Sequence, residues 1–213
     1  MNKCFVVLGA SGFVGKSLVK RLVALNAADV ISVSRNANFR AIEGSRLIPI
    51  SNLDLKNAAS GFPDIVLINA ANYFFKNSEI TEEALVANLF LPIRMLADLN
   101  SSQQIFIQLG SYYERLREAR APFSYSWTKS MATKVLAAAR SSVGPRITHV
   151  ELYDIFGEND TRPKLMNILT DHFSGARPEK LELSNPNRVF YPIHIEDSLD
   201  YVMRAIEKPG YDY

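Results

Sequence analysis

With 24 basic against 22 acidic residues among 213, the chain carries a formal charge of +2 and no basic run, which gives no reason to expect a nucleic-acid partner. A single cysteine, Cys4, excludes an internal disulfide and fits a reducing compartment. No stretch reaches the roughly 18 uninterrupted apolar residues needed to cross a bilayer, so a cytoplasmic protein without a membrane partner is expected, its residues 1–213 forming a single domain.

In chain order, Cys4 to Leu8 is a short apolar run, the pattern of a strand covered on both faces in a parallel sheet. Gly9, Gly12 and Gly15 follow, and Val14, Leu18, Leu22 and Leu25 recur at helical spacing. In a strand, turn and helix of this kind the first glycine permits the sharp turn. The second lets the backbone approach a pyrophosphate, and the third allows close packing of helix on strand. Free N–H groups of the first helical turn then point at an anion. The spacing, Gly9-Ala10-Ser11-Gly12-Phe13-Val14-Gly15, resembles the cofactor fingerprint of the short-chain dehydrogenase/reductase superfamily, in its extended, sugar-nucleotide branch. The resemblance implies that Gly9, Ser11, Gly12, Phe13, Val14 and Gly15 hold a dinucleotide.

Val30 to Ser34 reads as the second strand, whose end lies beside the adenosine ribose in such a fold. A carboxylate there would bind the 2′-hydroxyl of NAD, whereas arginine accommodates the phosphate of NADP. Ser34-Arg35-Asn36 therefore points to NADP through Arg35, with NAD as the alternative. After a third strand, Arg46 to Ile50, two readings of Asp54-Leu55 stand open. The resemblance implies contact with the adenine, and the residues by themselves allow Asp54 to be a helix N-cap. Ile65 to Ala70 reads as a central strand ending in Asn69-Ala70-Ala71-Asn72, which resembles the family's small-residue stretch; the resemblance implies that Ala70 and Ala71 let the cofactor lie against the backbone, and a tight strand end is the other reading.

Thr81 to Leu99 reads as a long helix that Pro92 should kink. The resemblance implies that Asn88 bends this helix and holds a water in a proton relay; a solvent-facing asparagine is the other reading. Gln104 to Gly110 is the fifth strand, ending at Ser111. The segment from Glu114 to Pro122 is read as charged and exposed. Tyr125 and Lys129 stand four apart at the start of the next helix, so both project from one face. An ammonium beside the phenol favours the phenolate, and Tyr125 is expected to titrate below its usual value of about 10. The resemblance implies that Ser111 binds a substrate carbonyl, Tyr125 passes the proton, Lys129 also binds the nicotinamide ribose, and Asn88 completes the relay. Tyr112 and Tyr113 stand where nucleotide-sugar dehydratases of the family carry an acidic pair, so dehydration is not expected. Gly110-Ser111-Tyr112-Tyr113 looks more like the form found in reductases that make deoxysugar nucleotides.

Arg146 to Tyr153 is the sixth strand, and Lys164 to Ser174 a helix. Lys180 to Leu183 and Val189 to His194 read as short strands, and Glu196 to Glu207 as a final helix. Arg162, Lys164 and Arg188 read as exposed basic residues, with a hold on a sugar nucleotide's diphosphate as the other reading. His149, His172 and His194 lack metal-ligand spacing and are read as structural or solvated, with no metal expected. The expected fold is α/β: a doubly wound parallel sheet (Rossmann fold) with helices on both faces, in which residues 154–195 form a reduced substrate lobe. The resemblance implies an NADP-dependent reductase of a nucleoside-diphosphate 4-keto-6-deoxysugar, with a 4-epimerase or a non-catalytic dinucleotide sensor as alternatives. A homodimer is compatible with this reading.

Overall fold

The computed structural model describes residues 3–26, 29–74, 80–115, 123–142, 144–176, 180, 189–210 and 212. Six strands form one parallel sheet: β1 (Lys3–Leu8), β2 (Asp29–Ser34), β3 (Arg46–Pro49), β4 (Asp64–Asn69), β5 (Ile105–Ser111) and β6 (Arg146–Leu152). Their order is β3-β2-β1-β4-β5-β6. The chain leaves β3 at one edge and returns beside β1, so the sequence of strands reverses between β1 and β4. The carboxyl ends of those two strands border the crevice where open α/β sheets take their ligands.

The alternation within β1 divides the core. Phe5 and Val7 face a cluster with Leu18, Val19 and Leu22 of α1 (Phe13–Ala24) and Leu199 and Val202 of the last helix, Ile195–Glu207. Cys4, Val6 and Leu8 face the opposite cluster, with Leu55 of α2 (Leu55–Ala58), Met95, Leu96 and Leu136. A strand apolar on both faces is what two layers of helices require, and the expected doubly wound sheet is present. Cys4 is a core side chain whose thiol burial pushes up to about 12.

Between β4 and β5 the chain forms α3 (Glu82–Ala84), a π-helical stretch Leu85–Phe90 and α4 (Leu91–Ala97). Pro92 cannot donate to the turn before it and its ring crowds the carbonyl four residues back. The helix therefore widens just ahead of it, and Asn88 lies in the widened turn. Beyond β5 come α5 (Phe123–Ala139) and β6. A second, two-stranded parallel sheet then pairs β7 (Asp154–Phe156) with β8 (Pro192–His194), flanking α6 (Leu165–Phe173); α7 is the last helix, Ile195–Glu207. The sequence reading missed β7. The strand expected at Lys180 to Leu183 lies outside the described residues except for Lys180.

Candidate active site

A cleft of about 720 Å³ opens at the carboxyl ends of β1, β4, β5 and β6. Behind Ala70 and Ala71 of its lining, the turn that follows β1 is shaped by backbone contacts. Gly9 sits at φ +78°, a conformation glycine adopts without cost, and a Cβ there would lie 2.7 Å from the Ala71 backbone. A Cβ on Gly15 would lie 2.3 Å from the Gly9 carbonyl oxygen, so helix and turn touch through the missing side chain. Gly12 caps α1 in extended conformation; its added Cβ would meet only the Gly9 oxygen, at 3.3 Å. No side chain caps this helix and its first turn carries no acidic residue. An anion could therefore meet both the free N–H groups and the positive end of the dipole. These residues fit a dinucleotide's pyrophosphate.

Around that turn, Ser34 donates to Ser11 across 2.8 Å and accepts from the Asn36 N–H at 2.9 Å, so the end of β2 is tied to the loop by a buried hydroxyl. Arg35 is exposed, its guanidinium carbon 5.5 Å from the centroid of the Tyr73 ring. Val14, Ala70 and Ala71 line the cleft. Of the two readings of Asp54, the cap is seen: its carboxylate accepts from the Asn57 N–H at 3.1 Å. The Leu55 side chain is 2% exposed in the core and does not face the cleft.

At the other end, β5 and α5 bring together Ser111, Tyr125 and Lys129, all lining the cleft and all buried. The Ser111 hydroxyl faces the Tyr125 phenol and acts to lower its titration. Lys129 Nζ donates to the Leu109 carbonyl at 2.6 Å, which turns the ammonium toward the end of β5. The expected lowering of the Tyr125 phenol is corrected here. Burial pushes it up to about 12, and the Ser111 hydroxyl offsets this only in part, because the charge of Glu114 adds to the rise. Burial likewise pushes the Lys129 ammonium down, against the charge of Glu114.

Asn88 is buried and does not face solvent. Its Oδ1 accepts from the Tyr73 N–H at 2.7 Å. Its Nδ2 donates to the Tyr73 carbonyl at 2.9 Å and to Thr128 Oγ1 at 3.2 Å. Both N–H groups are committed to clamping the segment after β4 onto α5. The amide thus positions the wall beside Tyr125. Asn69 works the same way one strand over, donating to Gln108 at 2.9 Å and accepting from the Ala71 N–H at 3.2 Å.

Sequence reasoning missed three features. Glu114, expected at the surface, has a side chain only 6% exposed beneath Ser111. Its one sequence signal is a position three residues after the strand-end serine. Phe74 and Tyr113 pack edge-on against the Tyr125 ring, with centroids 5.1 and 6.2 Å away. Tyr153 stacks on Tyr112 at 5.6 Å and lines the cleft beyond them.

Arg162 and Lys164 line the far wall. Arg162 forms a two-pronged ion pair with Asp160, at 2.5 and 2.7 Å, and its guanidinium lies 4.7 Å from the centroid of the Phe13 ring, joining the C-terminal segment to the glycine loop. Burial, aided by the charge of Arg162, pushes the Lys164 amine down. Arg188 lies outside the described residues. No helix among the described residues is long and apolar enough to cross a membrane.

Comparison with known proteins agrees with this arrangement. A model of the NAD dependent epimerase/dehydratase family matches residues 5–212. CDP-abequose synthase of Yersinia pseudotuberculosis is 25% identical over 215 residues, covering 98% of this chain and 75% of that protein. Among solved structures, UDP-glucuronic acid 4-epimerase from Bacillus cereus, in complex with UDP-glucuronic acid and NAD, superposes with a TM-score of 0.78 at 14% identity, over 99% of this chain and 76% of that one. The Bordetella bronchiseptica enzyme WbmF in complex with NAD+ gives 0.74 at 19% identity, over 100% and 72%. A glycine loop before an uncapped helix, a serine, tyrosine and lysine brought together in one cleft, and a family match over nearly the whole length lead to one conclusion: the chain belongs to the NAD dependent epimerase/dehydratase family.

Proposed function

We propose that the protein is an NADP-dependent reductase of a nucleoside-diphosphate 4-keto-6-deoxysugar. The observation that carries this reading is the convergence of Ser111, Tyr125 and Lys129 in a cleft that is also lined by Val14 of α1 and by Ala70 and Ala71, against whose backbone the Gly9 turn is packed. The bound dinucleotide would supply the hydride, held by Gly9, Gly12, Gly15 and the first turn of α1, with Ala70 and Ala71 against it.

The chain's own residues handle the proton. Tyr125, kept neutral by burial, is a proton donor at neutral pH. Its O–H bond breaks as the hydride reaches the ketone carbon, and the proton passes to the carbonyl oxygen. The Ser111 hydroxyl favours the Tyr125 phenolate, so it can stabilise the anion left behind and orient the carbonyl. Lys129 supplies positive charge from beneath and, as in the family it resembles, reaches the ribose of the cofactor.

Two further features support the finer choices. Phe74 and Tyr113 flank the Tyr125 ring, so the reacting carbon would sit between apolar surfaces, which suits a sugar whose neighbouring ring carbon bears a methyl group. Tyr112 and Tyr113 in place of an acidic pair leave no carboxylate there to remove water from a substrate. Arg35, at the end of β2, suits a 2′-phosphate. Arg162 and Lys164 are the cations placed for the diphosphate, and residues 154–195 serve as the substrate-facing part.

The test is an assay of NADPH and NADH oxidation on addition of nucleoside-diphosphate 4-keto-6-deoxysugars, with the sugar product characterised. Stoichiometric oxidation with formation of the 4-hydroxyl sugar is expected. Interconversion of 4-epimers without net oxidation would replace the reductase by an epimerase using the same groups.

A further inference from the structure

The carboxylate of Glu114 occupies a buried site between β5, α5 and β6 that the proton transfer described above does not use. Acidic side chains are buried this far only when they are paired. Oε1 accepts from the backbone N–H of Ser111 at 2.8 Å. Oε2 accepts from Thr133 Oγ1 at 2.7 Å and lies 3.2 Å from His149 Nε2. Room for this cluster comes from Gly110, where a Cβ would stand 2.0 Å from His149 Nε2 and 2.9 Å from Glu114 Oε1. Lys129, on the other side, is 3% exposed and donates to a neutral carbonyl, so its charge needs a partner. Among the described residues, Glu114 is the anion acting on it.

We propose that Glu114 is the positioning residue of this centre: it pins the Ser111 backbone and supplies the counter-charge that keeps the buried Lys129 an ammonium ion. The proposal rests on the proton-transfer role given to Tyr125 and Lys129. The groups facing Glu114 are Lys129, Tyr125 and Thr133 from α5, His149 from β6, and the Ser111 N–H from β5. Around a small cavity behind His149, Asp212 pairs with Arg140.

The sign of the effect follows from the charges. Reduction needs Tyr125 protonated and Lys129 charged, so the rate falls as pH rises through the first loss of a proton from that pair. Taking away a neighbouring anion makes that loss easier. The basic limb of the rate profile therefore moves to lower pH.

Glu114→Gln keeps the shape and an acceptor for Ser111 while removing the charge. The first measurement needs no turnover. NMR of ε-13C-labelled lysine, with the Lys129 resonance assigned by its absence in Lys129→Met, follows the titration of Lys129 in wild type and Glu114→Gln. A fall of about one pH unit or more in the Lys129 midpoint is expected in the variant; an unchanged midpoint overturns the proposal. The second is the pH profile of reduction, whose basic limb should move the same way. A rate lowered equally at every pH, with the limb in place, means a merely structural role and also overturns it. A protein without reductase activity would sink the proposed function while leaving the NMR comparison decisive. Where Glu114→Gln does not fold, the wild-type titration suffices: a Lys129 already neutral at physiological pH overturns the proposal, and a charged one sustains it.

Discussion

The two ends of the cleft are held by different physics. At the β1–α1 end, recognition is built from backbone: a left-handed Gly9, a Gly15 pressed on the Gly9 carbonyl, and a helix start without a side-chain cap. At the β5–α5 end the site is built from buried side chains, Tyr125, Lys129 and Glu114, with Asn88 of the widened turn clamping the wall beside them. The first end should be sensitive to an added methyl group and indifferent to pH. The second should tolerate small changes of shape and respond strongly to changes of charge or of a single proton.

The largest effect expected is at the second end. Tyr125→Phe removes the transferable proton while keeping the ring that packs between Phe74 and Tyr113. The rate of reduction should fall by about 10²–10⁴-fold, the usual worth of a general acid, with cofactor affinity nearly unchanged. Steady-state kinetics with a fluorescence titration of the dinucleotide checks both, and a variant retaining wild-type turnover would erase the contrast.

Next come paired substitutions at the first end. Gly15→Ala drives a methyl group into the Gly9 carbonyl, and should cost about 1–3 kcal/mol of stability as well as cofactor binding. Gly12→Ala has an ordinary φ of −78° and meets one atom at 3.3 Å. The melting temperature should stay close to wild type while dinucleotide affinity drops, because the methyl group lies where the pyrophosphate must approach. Thermal melts with and without NADPH separate the two outcomes. Equal losses of stability in both variants would show that the turn is only a packing device.

The smallest effect expected is at the edge of the first end, where a side chain does take part. Arg35→Ala should lower the preference for NADP over NAD by about tenfold or more, the worth of a charge-assisted hydrogen bond, while leaving NAD affinity in place. Competitive titrations of the two dinucleotides give the ratio, and an unchanged ratio removes Arg35 from cofactor choice.

The same contrast explains what could be read in the sequence. The glycine turn was legible because its requirements are local: strand, tight turn and helix follow within two dozen residues, and only glycine satisfies the close approaches. Tyr125 and Lys129 were legible because a spacing of four places two side chains on one helical face whatever surrounds them. Asp54 was undecided because a cap and a ligand contact ask for the same residue at the same place. Asn88 was undecided because nothing local says which way a helical amide points; the clamp on Tyr73 and Thr128 depends on segments 15 and 40 residues away.

By itself, then, the sequence determined the layers, the central position of β1 and β4 as strands apolar on both faces, the glycine turn and the tyrosine–lysine pair, since each follows from periodicity or from backbone sterics. Tertiary structure alone decided that Glu114 lies beneath Ser111 and not at the surface, that Tyr125 is held well above its usual range, and that Phe74 and Tyr113 wall its ring. Burial and electrostatic environment are properties of neighbours that meet only when β5, α5 and β6 come together, and no local pattern encodes them.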